Sequence, residues 1–136
     1  MNAQVIWHKG MSFTGVTDSG FHVPLDSAHD DEHKNAGPLE LVLVGLAGCT
    51  GMDVISIMEK KHQRVTDFQV RAHAARAAEY PKIFTHITVE YVITGHHLEL
   101  AAAERAVELS VTKYCPVINM LNKAAQIETK ITLIEA

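Results

Sequence analysis

The sequence predicts an α+β fold with the element order βββ-α-ββ-αα-β. Three observations lead to it. Segments of strand period open the chain, recur in its middle and close it, with turn residues between them. One long apolar stretch, opened by Pro38, is far too extended for a strand. A stretch of helical period, residues 98–114, then runs into a second helix start at Cys115-Pro116.

The elements follow in order. Val5-Ile6-Trp7 forms a strand that ends at Lys9-Gly10. Residues 11–17 alternate imperfectly, with Met11, Phe13 and Gly15 against Ser12, Thr14 and Val16. Asp18-Ser19-Gly20 is a turn, and residues 21–25 return as a third strand. Residues 27–37 carry Asp, His, Asn and Gly without periodicity and read as a loop. A helix then runs from Pro38 to about His62. Proline suits a first helical turn, where its missing N–H would have no partner, and Glu40 favours the positive end of the helix dipole. This helix is apolar nearly all round as far as Met58, which implies a central position or a subunit interface.

Residues 66–78 and 83–94 read as a hairpin about Glu79-Tyr80-Pro81-Lys82. Ile87, Val89, Tyr91 and Ile93 share one face of its second strand, and His86, Thr88, Glu90 and Thr94 the other. Phe68, Val70 and Ala72 oppose Gln69, Arg71 and His73 in its first strand. Leu100, Ala103, Val107, Val111 and Tyr114 mark the apolar stripe of the next helix. A short helix follows from Pro116 to about Lys123, and Ile127, Thr129, Ile131 and Leu133 define a last strand. With 136 residues and no linker or repeat, residues 1–136 are expected to be one domain.

Composition narrows the function. A net charge of −4 provides no basic footprint for nucleic acid. No run of about 18–20 uninterrupted apolar residues suggests a membrane span, and the first residues do not resemble a signal peptide. The expected location is therefore cytoplasmic, where disulfides tend to be transient and catalytic. His29 and His33 flank Asp30-Asp31-Glu32, and His96 adjoins His97, but neither group has a metal-ligand spacing. No metal or cofactor is called for.

The two cysteines carry the chemistry. Cys115 precedes Pro116, so it takes the N-cap of a helix, whose free N–H groups and dipole would favour a thiolate. It reads equally as a small buried hydrophobe. Cys49 lies mid-helix in Gly45-Leu46-Ala47-Gly48-Cys49-Thr50-Gly51, where apolar surroundings would keep a thiol inert. Each glycine in a helix interior costs about 1 kcal/mol relative to alanine. Three of them suggest that another backbone or a ligand comes close. Glu40 is nine residues, about 13 Å along the axis, from Cys49, and its local reading is a helix-start carboxylate.

The segments Pro38-Leu39-Glu40-Leu41-Val42-Leu43-Val44-Gly45-Leu46-Ala47-Gly48-Cys49 and Tyr114-Cys115-Pro116-Val117 together resemble the OsmC/Ohr family. Val5-Ile6-Trp7 and Phe84-Thr85-His86-Ile87 look most like its YhfA-like branch. The resemblance covers nearly the whole chain. It implies an OsmC-like intertwined homodimer with the cysteine helix at its centre. It also implies a thiol peroxidase that reduces organic hydroperoxides, with Cys49 peroxidatic, Cys115 resolving and a dithiol as reductant. Glu40 joins them as the catalytic-carboxylate candidate. Two departures stand out. Peroxidase members carry an N-terminal arginine, whereas no arginine precedes Arg64 here. They often place a glutamate directly after the helix-opening proline, where this chain has Leu39. The rival reading is a non-catalytic relative that binds a small apolar or thiol-reactive molecule or senses redox state. A third is an interaction protein with incidental cysteines.

Overall fold

The computed structural model describes residues 1–27 and 34–136. The elements are β1 (Ala3–Lys9), β2 (Ser12–Thr17), β3 (His22–Leu25), α1 (Pro38–Lys60), β4 (Arg64–Arg76), β5 (Phe84–His96), α2 (Leu100–Leu109), α3 (Pro116–Leu121) and β6 (Gln126–Glu135). A π-helical turn, Ser110–Tyr114, separates α2 from α3. The expected order is therefore present, with that turn as an addition. His29, Asp30, Asp31, Glu32 and His33 lie outside the described residues.

Two compact units divide the chain, Met1–Val42 and Leu43–Ala136. In the first, β1, β2 and β3 form an antiparallel sheet in sequence order. Gly20, at φ +89°, closes the turn between β2 and β3 in a backbone region that glycine enters without steric cost. No residue of these three strands is buried, and Val5, Ile6 and Trp7 all stand exposed. At the start of α1, Glu40 Oε1 accepts the Gly37 N–H at 2.9 Å. A carboxylate three residues after the cap thus satisfies a backbone donor that the helix leaves unpaired.

In the second unit β5 is the central strand, antiparallel to β4 and parallel to β6. Its inward row is the expected one: Ile87, Val89, Tyr91 and Ile93 are wholly buried. Leu46, Val54 and Met58 of α1, Ala103, Ala106 and Val107 of α2, and Ile118 of α3 complete the core. The outward face is polar. There Glu90 accepts the Thr132 hydroxyl at 2.8 Å and lies 3.7 Å from both Lys130 and Arg71.

Two expectations change. The helix 98–114 is not continuous: Cys115 N–H bonds back to Ser110 O at 2.8 Å, and the extra residue in that turn rotates Tyr114 away from the stripe. Tyr114 and Leu100 are half exposed rather than core. α1 ends at Lys60, two residues early, and His62 beyond it takes φ +57°. By length and mean hydropathy alone, 1.9 over its best window, α1 would be able to cross a membrane. Thr50, Asp53 and Ser56 interrupt its apolar run without lowering that mean below the span range. Its row Leu46, Thr50, Gly51, Val54 and Met58 is buried within the protein.

Candidate thiol site

Two helices position the cysteines. Cys49 sits one residue before Thr50 on α1 and is half-buried. The buried row of that helix faces the sheet, and a Cβ placed on Gly51 would lie only 3.1 Å from Val70 Cγ2. The glycine there is explained by close packing on β4. Gly45 and Gly48 are not: a Cβ at either would meet nothing within 4 Å among the described residues. Both are exposed, in a row with Val44 and Met52.

Cys115 is the N-cap of α3, with Pro116 at the first helical position. Its Sγ accepts the Ile118 N–H at 3.4 Å, as the cap reading expects. Asn119 Nδ2 donates to Val111 O at 3.1 Å and to Cys115 O at 2.8 Å, fastening the π-helical turn to α3. The side chain of Cys115 is 0% exposed. Burial pushes the thiol from an ordinary 9.0 up to about 11. The Ile118 and Val117 N–H groups pull it down, and the neighbouring Cys49 side chain pushes it further up by hydrogen bonding and by charge. Desolvation outweighs the helix-start donors, so Cys115 is a neutral thiol at neutral pH. Of the two local readings of Cys115, the helix-start thiolate gives way to the small buried group.

The same geometry brings Cys49 and Cys115, 66 positions apart in sequence, into direct neighbourhood. Both are free thiols. Glu40 belongs to the first unit, where its carboxylate is engaged with Gly37. Among the described residues no group of three or more His, Cys, Asp or Glu is placed to hold a metal ion.

A polar cluster next to the thiols was not anticipated from the sequence. Thr50 Oγ1 lies 2.7 Å from both Tyr91 Oη and Ser110 Oγ, and Ser110 Oγ donates to Asp53 Oδ2 at 2.8 Å. Thr50, Tyr91 and Ser110 are wholly buried. Burial raises Tyr91 to about 12, against the hydrogen bond it shares with Thr50, with the charges of Cys115 and Asp53 adding to the rise. The signal for this cluster was available. Thr50 and Asp53 are polar interruptions of an otherwise apolar helix, one and four residues after Cys49.

The sequence pattern of the OsmC family, described as OsmC-like protein, matches residues 29–130. The chain belongs to that family. It is 42% identical to Protein YhfA of Escherichia coli K12 over 127 residues, 93% of each chain. A hypothetical protein of Aquifex aeolicus VF5 superposes with a TM-score of 0.88 at 28% identity, covering 99% of this OsmC-like chain and 96% of the other. An organic hydroperoxide resistance protein OsmC of Legionella pneumophila matches at a TM-score of 0.72 and 20% identity, over 96% and 95% of the two chains. The OsmC-like fold expected from the two cysteine segments is the fold observed.

Proposed function

We propose that this protein is a cytosolic thiol peroxidase that reduces organic hydroperoxides and works as an obligate homodimer. The observation that carries the reading is the half-buried Cys49 thiol beside a wholly buried, neutral Cys115 thiol, in a chain with no third cysteine. The family, and a fold neighbour named for organic hydroperoxide resistance, support it.

In the proposed cycle the Cys49 sulfur, as thiolate, attacks the distal oxygen of the hydroperoxide. The O–O bond breaks, the alkoxide leaves as alcohol by taking up a proton, and Cys49 becomes a sulfenic acid. The Cys115 sulfur then attacks Cys49, an S–S bond forms, the S–O bond breaks and water departs. A dithiol reductant returns both cysteines to thiols and is itself oxidised to a disulfide. Glu40, the remaining candidate of the catalytic set, has one carboxylate oxygen on the Gly37 N–H. In this reading it fixes the start of the cysteine helix.

The homodimer rests on two exposed features. Val44, Gly45, Gly48 and Met52 form an exposed row on α1, with no Cβ neighbours at its glycines among the described residues. The sheet of the first unit has no buried face of its own, and a three-stranded sheet needs one to be stable. The continuity of α1 across both units supports reading residues 1–136 as one domain.

Variants of the two cysteines test the roles. In Cys115→Ser, one equivalent of an organic hydroperoxide is expected to leave a sulfenic acid on Cys49, trapped by a dione reagent and located by peptide mapping. A sulfenic acid found on Cys115 in Cys49→Ser, with none on Cys49 in Cys115→Ser, would reverse the assignment. The absence of any arginine before Arg64 favours one rival, a relative that binds a thiol-reactive molecule without turnover. Ligand binding with both thiols left intact would select it.

A further inference from the structure

The two cysteines sit on different elements, so the packing of the π-helical turn on α1 fixes one against the other. Ser110, the first residue of that turn, is wholly buried and grips α1 at two points. Its Oγ lies 2.7 Å from Thr50 Oγ1 and donates to Asp53 Oδ2 at 2.8 Å. Residues three apart are neighbours on one helix face, so the two bonds together hold the turn against both sliding and rotation relative to α1. The Thr50 hydroxyl is also 2.7 Å from Tyr91 Oη, which ties the same point to the central strand β5. Thr50 is the residue next to Cys49 in the chain.

At its other end the turn holds the second cysteine. Cys115 N–H bonds to Ser110 O at 2.8 Å, the bond that gives the turn its π-helical width. Cys115 O accepts Asn119 Nδ2 at 2.8 Å and Asn119 N–H at 3.1 Å. Asn119 Nδ2 also donates to Val111 O at 3.1 Å, one residue after Ser110. Both backbone polar groups of Cys115 are therefore engaged, and its Sγ takes the Ile118 N–H. A continuous path of hydrogen bonds runs from the residue beside Cys49, through the hydroxyl and then the carbonyl of Ser110, to the backbone of Cys115. None of these bonds needs a thiol hydrogen, so disulfide formation does not break the path.

We propose that Ser110 and Asn119 are positioning residues for the thiol pair: they clamp the π-helical turn between α1 and α3, so that Cys115 is held beside Cys49 before the two sulfurs join. A turn already held does not have to be ordered when the S–S bond forms. Loss of that ordering cost raises the effective concentration of one thiol at the other. The inference deepens the thiol-pair reading above and rests on it. It assigns to Ser110 and Asn119 no contact with substrate and no proton transfer.

The experiment measures the equilibrium between the Cys49, Cys115 dithiol and its disulfide in buffers of reduced and oxidised glutathione, with free thiols trapped and counted by mass. Closure oxidises the two cysteines and reduces one glutathione disulfide to two thiols, so atoms and electrons balance without peroxide. Ser110→Ala removes the grip on α1 and leaves no buried polar atom orphaned. Thr50 keeps Tyr91 as its partner, and half-buried Asp53 lines a surface cleft open to water. Asn119→Ala cuts the tie on the α3 side. Each is expected to lower the equilibrium constant for closure about tenfold, the scale of one hydrogen bond. That fall raises the reduction potential by about 30 mV. Ile87→Val shortens a wholly buried β5 residue outside the clamp, so it lowers stability and should leave the closure constant at the wild-type value. Wild-type constants in both Ser110→Ala and Asn119→Ala would overturn the proposal. An equal fall in Ile87→Val would overturn it too, since general loosening would then explain the effect. If hydroperoxide leaves the thiols intact while glutathione shows the dependence on Ser110 and Asn119, the peroxidase reading falls and the clamp stands. If the wild type forms no Cys49–Cys115 disulfide even in the most oxidising buffer, the thiol-pair reading falls and the clamp falls with it.

Discussion

At Cys115 two effects of known sign oppose each other. The free N–H groups of a helix start lower a thiol pKa, and removal from water raises it. The first was visible in the pair Cys115-Pro116, and the cap forms as that pair implies. The second was not, because it depends on distant residues that close over the sulfur. The outcome has a consequence for stability. Between the ordinary thiol value of 9.0 and about 11 the unfolded chain releases this proton while the folded chain keeps it. The folded state then binds more protons, so stability falls as pH rises through that window and is undiminished below it. Tyr91, raised from 10.0 to about 12, acts in the same direction at higher pH. The denaturant midpoint of the reduced protein is expected to drop between about pH 9 and pH 11, and Cys115→Ser should lessen the drop. An equal drop in the variant would show that the buried thiol does not contribute.

At the scale of elements, α1 and the helix–π–helix segment divide what the sequence made legible from what it did not. The hydrophobic run and Pro38 place α1 to within two residues at its C-terminus, because a proline start and an apolar run are local properties. The π-helical turn at Ser110 carries no such mark. It fits a wholly buried serine that must reach both Thr50 and Asp53, a requirement set by α1 and not by its own neighbours. The glycines of α1 show a similar split. Gly51 makes room for Val70 inside the chain, whereas Gly45 and Gly48 have no neighbour among the described residues. In an isolated chain Gly48→Ala would gain about 1 kcal/mol of helix propensity. If a second α1 packs on this row, the added methyl group obstructs it instead. Wild type is expected to sediment as a dimer at micromolar concentration, and Gly48→Ala to shift toward monomer. A variant that is more stable and equally dimeric would remove this face from the interface.

For the whole molecule, the sequence conveyed the order of elements, the inward row of β5 and the family, since each follows from periodicity or from two short segments. It conveyed the site only as two cysteines far apart in the chain. Their neighbourhood, and the buried hydroxyls of Tyr91, Thr50 and Ser110 gathered on Asp53, arise when the helices pack over one sheet. The arginine usual in peroxidase relatives is absent from the N-terminal part. The proposed chemistry therefore falls to the thiol pair. The most direct test is to count free thiols before and after one equivalent of an organic hydroperoxide such as cumene hydroperoxide. The count is expected to fall from two per chain to none, with a Cys49–Cys115 disulfide in the peptide map and one equivalent of alcohol released. Two free thiols per chain after exposure, with the hydroperoxide unconsumed, would contradict the central claim.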